Sequence, residues 1–313
     1  MNIHTKDDLP FEALSKEEIQ DAIHKNSMNT APGYSQITYR VLKWAWMSNL
    51  AQSHILALMD KCLHTGYHPK LWWKAIPVAL KKPNKPDYSN PRAYRLITLL
   101  ECLSKVLERI VAKRLTFLAG KYDLVPTNQF GGRSNSSTSD IQTAWNHGKV
   151  TTALTFDIKG YFDFVNHKHL LYELRRKQIP IEYVCWVSSF LSHREAAICL
   201  DGTCGKMKPV HNGIPQGSPV SLILAAFYIT ELIEIFKPST AHNNNQTNEY
   251  FPSSPTQINM IMYIDDRKIY VSSKSLEMNT ILIKTAYEEV ERWLTSAGLA
   301  ANTSKREVMH YSC

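Results

Sequence analysis

Two adjacent carboxylates, Asp265 and Asp266, stand in an otherwise apolar, β-patterned segment of this chain. Met260, Ile261, Met262 and Ile264 precede or adjoin them, and Ile269, Tyr270 and Val271 follow. A bare aspartate pair is ordinarily a solvated turn, because charged side chains are mostly surface side chains. Here the flanks read as two short strands, Met260 to Tyr263 and Lys268 to Ser272, so the acids occupy a tight hairpin with apolar arms. Carboxylates in such a setting need a cation to offset their desolvation.

A second acid sits in the same kind of place. Thr151 to Ile158 reads as a buried strand, and Asp157 follows Ala153-Leu154-Thr155-Phe156 near its end. If that strand lies beside the hairpin, three carboxylates converge. Hard oxygen ligands of this type suit Mg²⁺ or Mn²⁺. Two such ions about 3.5–4 Å apart can activate a 3′-hydroxyl and stabilise a pyrophosphate leaving group. That is the minimum apparatus of a nucleotide polymerase, and equally of some nucleases.

A third element is Asn212-Gly213-Ile214-Pro215-Gln216-Gly217-Ser218-Pro219. Its proline fixes the backbone, its glycines permit close approach of a ligand, and Gln216 offers an amide. By composition alone it would be an ordinary strand-to-helix turn. The 313 residues, 44% hydrophobic and 20% charged, suffice for a substantial core, and a formal net charge of +8 fits a polyanionic partner, nucleic acid first.

The rest of the chain supplies a frame. Ser15 to Glu18 has the form of a capping box, and Tyr39 to His64 reads as one helix carrying Val41, Leu42, Trp46, Leu50, Leu56 and Leu58. Lys74 to Leu80 is a strand leading into a basic turn with Lys81, Lys82 and Lys85. Leu99 to Leu118 reads as an amphipathic helix with Arg109, Lys113 and Arg114 on its polar side. Helices are expected over Lys168 to Lys177, Ile181 to Leu191 and Thr280 to Ala297, with a hairpin turning at Asp201-Gly202. Asn128 to Ser139 and the polar stretch 239–257 read as loops. The six cysteines have no zinc spacing and read as scattered buried thiols of a reducing compartment. With no targeting signal and no apolar run long enough for a bilayer, the expected location is intracellular, nuclear or cytoplasmic.

Taken in order, these elements resemble the reverse transcriptase family, specifically its non-LTR retrotransposon branch. Thr155-Phe156-Asp157-Ile158-Lys159-Gly160-Tyr161-Phe162-Asp163 is similar to motif A, Gly213 to Leu224 to motif B, and Tyr263-Ile264-Asp265-Asp266 to the Y-x-D-D box of motif C. Gly298-Leu299 with Asn302, Lys305 and Glu307 resembles motif D. Tyr94 to Leu100, Gln129 to Arg133, and Ala31-Pro32-Gly33 also have counterparts. The resemblance runs from about Ser15 to the C-terminus.

That resemblance implies an α/β right-hand polymerase, with an antiparallel palm sheet backed by helices and mixed fingers. Residues 1–64 would be a helical extension of the fingers and 65–313 the reverse transcriptase domain. The fingers would cover about 65–150 and the palm about 151–313, with a flexible insertion at 239–257. The thumb and any endonuclease, RNase H or zinc-knuckle segment would be missing, since the sequence stops at Cys313. Asp157, Asp265 and Asp266 match the metal-binding triad for two Mg²⁺ or Mn²⁺ ions. Lys305 matches the candidate acid for pyrophosphate, and Phe162 the aromatic gate against a 2′-hydroxyl. Gln216 and Gly217 match the nucleotide-side loop, and Arg95 the triphosphate contact, with Lys85 among its possible helpers. The implied activity is RNA-directed DNA polymerisation on an RNA template, DNA primer and dNTP, with no membrane partner.

The sequence departs from the family pattern at Leu96, Tyr161, Gly33 to Gln36, Arg267 and Arg306, and two of these, Tyr161 and Arg267, lie near the chemistry. Against an active polymerase stand a catalytically inactive retroelement remnant and a maturase-like protein that only binds nucleic acid. The intact triad argues against the remnant and the missing thumb argues for it, while no maturase region is recognisable. A two-metal nuclease would need neither the Gln216 loop nor the Phe162 gate.

Overall fold

The structure, a computed structural model, describes residues 8–126, 148–236, 258–263 and 266–312. The loop at 128–139, the insertion at 239–257, and Ile264 with Asp265 lie outside the described residues.

In chain order come helices α1 (Lys16–His24), α2 (Tyr39–Ala45) and α3 (Asn49–His64), strands β1 (Lys74–Lys81) and β2 (Tyr94–Leu99), and helix α4 (Cys102–Lys121). Strand β3 (Val150–Asp157) is followed by helices α5 (Tyr161–Phe164), α6 (His167–Arg176) and α7 (Ile181–Leu191). Next are strands β4 (Arg194–Ala196), β5 (Cys199–Leu200), β6 (Thr203–Cys204) and β7 (Lys208–Val210), then helices α8 (Ser221–Tyr228) and α9 (Thr230–Glu234). Strands β8 (Ile258–Tyr263) and β9 (Asp266–Ser273), helix α10 (Leu276–Ser296) and strand β10 (Glu307–Tyr311) complete the order. Among the described residues no helix is long and apolar enough to cross a membrane. The chain forms two units: Met1–Leu124 with Phe162–Phe227, and Val125–Tyr161 with Tyr228–Cys313.

The first unit holds a mixed sheet in the order β6-β5-β1-β4-β7, with β2 also paired to β1. Strand β1 runs antiparallel to β2, from Ile76 opposite Leu99 to Lys81 opposite Tyr94, and parallel to β4 and β5. The Asp201-Gly202 turn has both residues left-handed, φ 49° and 81°, as a two-residue hairpin with right-handed strand twist requires. It brings Cys199 and Cys204 into register, and they are joined as a disulfide, which corrects the reading of scattered thiols. Cys62 and Cys102 are free and buried, while Cys185 is free and exposed.

The capping box forms: Ser15 Oγ accepts from the Glu18 amide and the Glu18 carboxylate from the Ser15 amide, both at 3.2 Å. The expected single helix from Tyr39 to His64 is instead two helices broken at Trp46 to Ser48. Gln52 Nε2 donates to the Trp46 carbonyl at 2.8 Å, so a side chain satisfies the backbone group left over at the break. Several residues of the expected apolar stripe are exposed, among them Val41, Leu50 and Leu58. Arg114 of α4 is also not a solvated charge. It donates to Glu18 at 2.6 and 2.8 Å and to Tyr183 Oη at 3.1 Å, while Arg109 donates to Asn26 at 2.6 Å.

The second unit is built on an antiparallel sheet in the order β10-β3-β9-β8, with α10 packed across it. Ala153, Leu154, Phe156, Met260, Met262, Ile269 and Val271 of the sheet are buried, as are Ile283, Ala286, Val290 and Leu294 of the helix. The Phe156 ring meets Tyr287 of α10 edge-on at 5.5 Å between centroids. Tyr228 Oη donates to the Ala297 carbonyl at 2.6 Å, and Trp293 Nε1 to Glu231 at 2.9 Å. At the end of α10 the Leu299 amide reaches the Leu294 carbonyl at 2.7 Å, closing the helix at Gly298 as its sequence predicts.

Candidate active site

The eight-residue pairing of β3 with β9 sets Asp157 directly opposite Asp266. Residues opposite one another in an antiparallel pair share a face, with Cβ atoms about 4.5–5.5 Å apart. Both carboxylates therefore project from one face at the end of the sheet. Unscreened by a cation, two charges about 5 Å apart repel by about 1 kcal/mol in bulk water and about 3 kcal/mol at an effective dielectric near 20. Asp265, the remaining member of the expected triad, lies outside the described residues.

A third side chain enters this face from the segment after α10. The Lys159 amide donates to Ala300 O at 2.9 Å, the Asn302 amide to Asp157 O at 2.7 Å, and Ile158 bridges Ala301. These bonds tie the 3₁₀ turn Thr303–Lys305 to the end of β3. Lys305 Nζ then donates to Asp157 Oδ2 at 2.8 Å, with the lysine side chain 64% exposed and the aspartate 22%. An ammonium pairs with the carboxylate here, and carboxylate oxygens are donors that suit a hard divalent cation.

Period-2 alternation sends the neighbours of these acids to the other face. Arg267 stands opposite Phe156, whose ring faces α10, and it is fully buried. Its guanidinium lies 4.5 Å from the centroid of the buried Tyr161 ring. Burial pushes the Tyr161 phenol up, opposed by the neighbouring Arg267 charge. Arg306 likewise lies over Tyr287, at 5.4 Å, and pairs with Glu291 at 3.7 Å. Three residues that depart from the family pattern thus pack away from the Asp157–Asp266 face.

The first unit carries the expected nucleotide-side residues. Phe162 and the Gly213–Pro219 loop are built together: the Ile214 amide donates to Phe162 O at 2.8 Å and the Gly213 amide to Val165 O at 2.9 Å. His167 Nε2 bonds Gly213 O at 2.8 Å, and Gln216 Nε2 donates to Asp163 Oδ1 at 3.3 Å. A Cβ on Gly213, whose φ is 79°, would lie 2.6 Å from Asp163 O, so nothing larger than glycine fits. On the other side of the loop the Thr98 amide of β2 donates to Gln216 O at 2.7 Å. Gly217, at φ 117°, would press a Cβ to 2.7 Å from Thr98 O. Arg95 is exposed on β2 opposite Leu80, and Lys85 is exposed in the β1–β2 connection. Among the described residues neither has a contact that fixes its role.

The sequence reading missed the support of this loop. Glu108, within the run Val106-Leu107-Glu108-Arg109-Ile110-Val111, is fully buried and accepts from Ser218 Oγ at 2.5 Å. The available signal was a glutamate on the apolar stripe of α4.

The sequence matches the family described as reverse transcriptase (RNA-dependent DNA polymerase) over residues 80–313. It is 25% identical to the RNA-directed DNA polymerase from mobile element jockey of Drosophila melanogaster, over 95% of this chain and 32% of that protein. It is 30% identical to the probable RNA-directed DNA polymerase from transposon X-element of the same species, over 71% of this chain and 25% of that protein. Against a retrovirus-related Pol polyprotein from retrotransposable element R2 of Popillia japonica the identity is 24%, over 94% of this chain and 39% of that protein. The chain spans two fifths or less of the length of these relatives. With the acids of motifs A and C opposed on one sheet and residues 80–313 matched, the chain belongs to the reverse transcriptase family.

Proposed function

We propose that this chain performs RNA-templated DNA synthesis, in which a primer 3′-hydroxyl attacks the α-phosphate of a dNTP and pyrophosphate leaves. The observation that carries this reading is the direct opposition of Asp157 and Asp266, with Lys305 on Asp157, in a member of the family. Family membership implies divalent-metal use, and we propose two Mg²⁺ or Mn²⁺ ions held by Asp157, Asp265 and Asp266. Ions bound there would favour the 3′-alkoxide and neutralise the leaving group. Lys305, anchored by its turn to the end of β3, would hold a proton for the departing pyrophosphate. Gln216 and Gly217 would contact the nucleotide, Phe162 would exclude a 2′-hydroxyl, and Arg95 and Lys85 would meet the triphosphate. The net charge of +8 supports phosphate contacts to an RNA template and DNA primer, a substrate found in the nucleus or cytoplasm.

The test is primer extension by the purified chain on an RNA template with Mg²⁺, Mn²⁺ or EDTA. Metal-dependent addition of the complementary dNMP is expected. No templated addition with either metal would overturn the reading.

A further inference from the structure

A fully buried carboxylate is an expensive component, because desolvating it costs several kcal/mol that an apolar residue would avoid. Glu108 of α4 is one, at 0% exposure. Burial raises its pKa, and the hydroxyls of Ser104 and Ser218 and the charges of Lys105 and Arg194 oppose that rise. Both carboxylate oxygens are used: Oε1 accepts from Ser104 Oγ and Oε2 from Ser218 Oγ, each at 2.5 Å. Ser104 lies one turn earlier on the same helix and braces the carboxylate. Ser218 belongs to the loop that carries Gln216.

Ahead of Ser218 the loop is tied to Val165 and Phe162 by the Gly213 and Ile214 amides, and to Asp163 by Gln216. The Ser218 amide donates to Pro215 O at 3.2 Å, and Ser221 Oγ to the same carbonyl at 2.9 Å. The Val220 amide donates to Ser218 Oγ at 3.3 Å, so the hydroxyl that reaches Glu108 also caps the chain entering α8. Across the loop, Thr98 holds the Gln216 carbonyl and leaves no room for a side chain at Gly217. Gln216 is therefore held by its backbone bond to β2 and its own side-chain bond to Asp163, and the segment just after it by a side-chain bond, two residues later, to α4. Removing the last would loosen the segment on the α8 side of Gln216.

We propose that Glu108 is a positioning residue for the nucleotide-side loop: braced by Ser104, it holds Ser218 and thereby sets the place of Gln216. The nucleotide part of this statement rests on the function proposed above. Glu108 lies outside every motif the sequence presents, and this link accounts for a costly acid buried beside Ser104 and Lys105 on α4.

The experiment pairs two readouts on the full chain. Amide hydrogen exchange over 213–219 reports the loop without any need for activity, and dNTP titration of primer extension gives KM and kcat. Ser218→Ala and Glu108→Ala should each speed exchange in the loop and raise the dNTP KM about tenfold, with kcat changed less, as expected when a buried group loses its partner. The double variant should be no worse than the worse single one, since both break one link. Glu108→Gln, which can still bond both serines, should restore KM to near wild type. Should Glu108→Ala fail to fold, Ser218→Ala and Glu108→Gln carry the test alone. Unchanged exchange over 213–219 in Ser218→Ala overturns the proposal. Faster exchange with an unchanged KM overturns the nucleotide role of Gln216. A wild-type chain that does not extend overturns the proposed function, while the exchange result still decides whether Glu108 holds the loop.

Discussion

Asp157→Asn separates the cost of the carboxylate centre from its use. In the native sheet Asp157 and Asp266 are directly opposed. Their repulsion, about 1 to 3 kcal/mol at about 5 Å, disappears when one becomes an amide. The loss is the ion pair with Lys305, whose side chain is 64% exposed, and such pairs contribute about 0–1 kcal/mol. The backbone bond from Asn302 to the residue 157 carbonyl is untouched. The balance is a variant that, in EDTA, is as stable as the parent or more stable by up to about 2 kcal/mol. Divalent metal should reverse the order. A ligand at a hundred times its Kd stabilises the native state by about 2.7 kcal/mol, and the variant should lose most of that gain. The assay is a thermal melt of both proteins in EDTA and in Mg²⁺ or Mn²⁺, alongside primer extension. A variant that melts several degrees below the parent in EDTA would refute the electrostatic reasoning. One that keeps more than a few per cent of the extension rate would refute the role of Asp157.

Three further outcomes are expected. Phe162→Val should raise the rNTP/dNTP ratio of kcat/KM, and an unchanged ratio would place the gate elsewhere. Lys305→Ala should lower kcat by about 10²-fold or more while moving stability by less than about 1 kcal/mol; a full kcat would exclude it as the proton donor. His68 is 2% exposed, ringed by Trp72, Trp186 and Phe190 at 5.2 to 5.8 Å, and burial holds its pKa down to about 3 against an ordinary 6.5. Below pH 6.5 the unfolded chain takes up a proton that the native imidazole refuses, so stability should fall by up to about 1.4 kcal/mol per pH unit. Denaturant titrations at pH 7.5, 6 and 5 should show a smaller loss in His68→Phe than in the parent; equal losses would exclude His68 as a source.

What was legible in the sequence follows from what each pattern encodes. Asp157 at the end of an apolar strand was legible; Asp266 reads as part of a turn before a strand at Lys268, whereas β9 begins at Asp266 itself and antiparallel pairing sets the two acids opposite one another. The loop glycines read as places where a ligand could approach closely; in the structure the chain's own backbone comes close there, Asp163 O at Gly213 and Thr98 O at Gly217. The partners of buried charges were not legible. Glu108 and Arg114 both lie on α4, and their partners, Ser218 and Glu18, are 110 and 96 residues away. Local periodicity carries no information about a contact at that separation. The break between α2 and α3 escaped as well, since the apolar stripe does not encode that Gln52 can satisfy the Trp46 carbonyl left over there. Tyr161 and Arg267 look like threats to the chemistry when read singly. Alternation along β9 places Arg267 on the face away from Asp266, where it stacks on Tyr161.

The most direct measurement is single-nucleotide addition to a DNA primer annealed to RNA, with a labelled dNTP complementary to the first template base. The wild-type chain should transfer the labelled dNMP to a 3′-hydroxyl primer in Mg²⁺ or Mn²⁺. A 3′-deoxy primer, a mismatched dNTP, EDTA and the Asp157→Asn variant should each abolish it. Equal labelling with the 3′-deoxy primer or with Asp157→Asn would contradict a polymerase centred on these carboxylates.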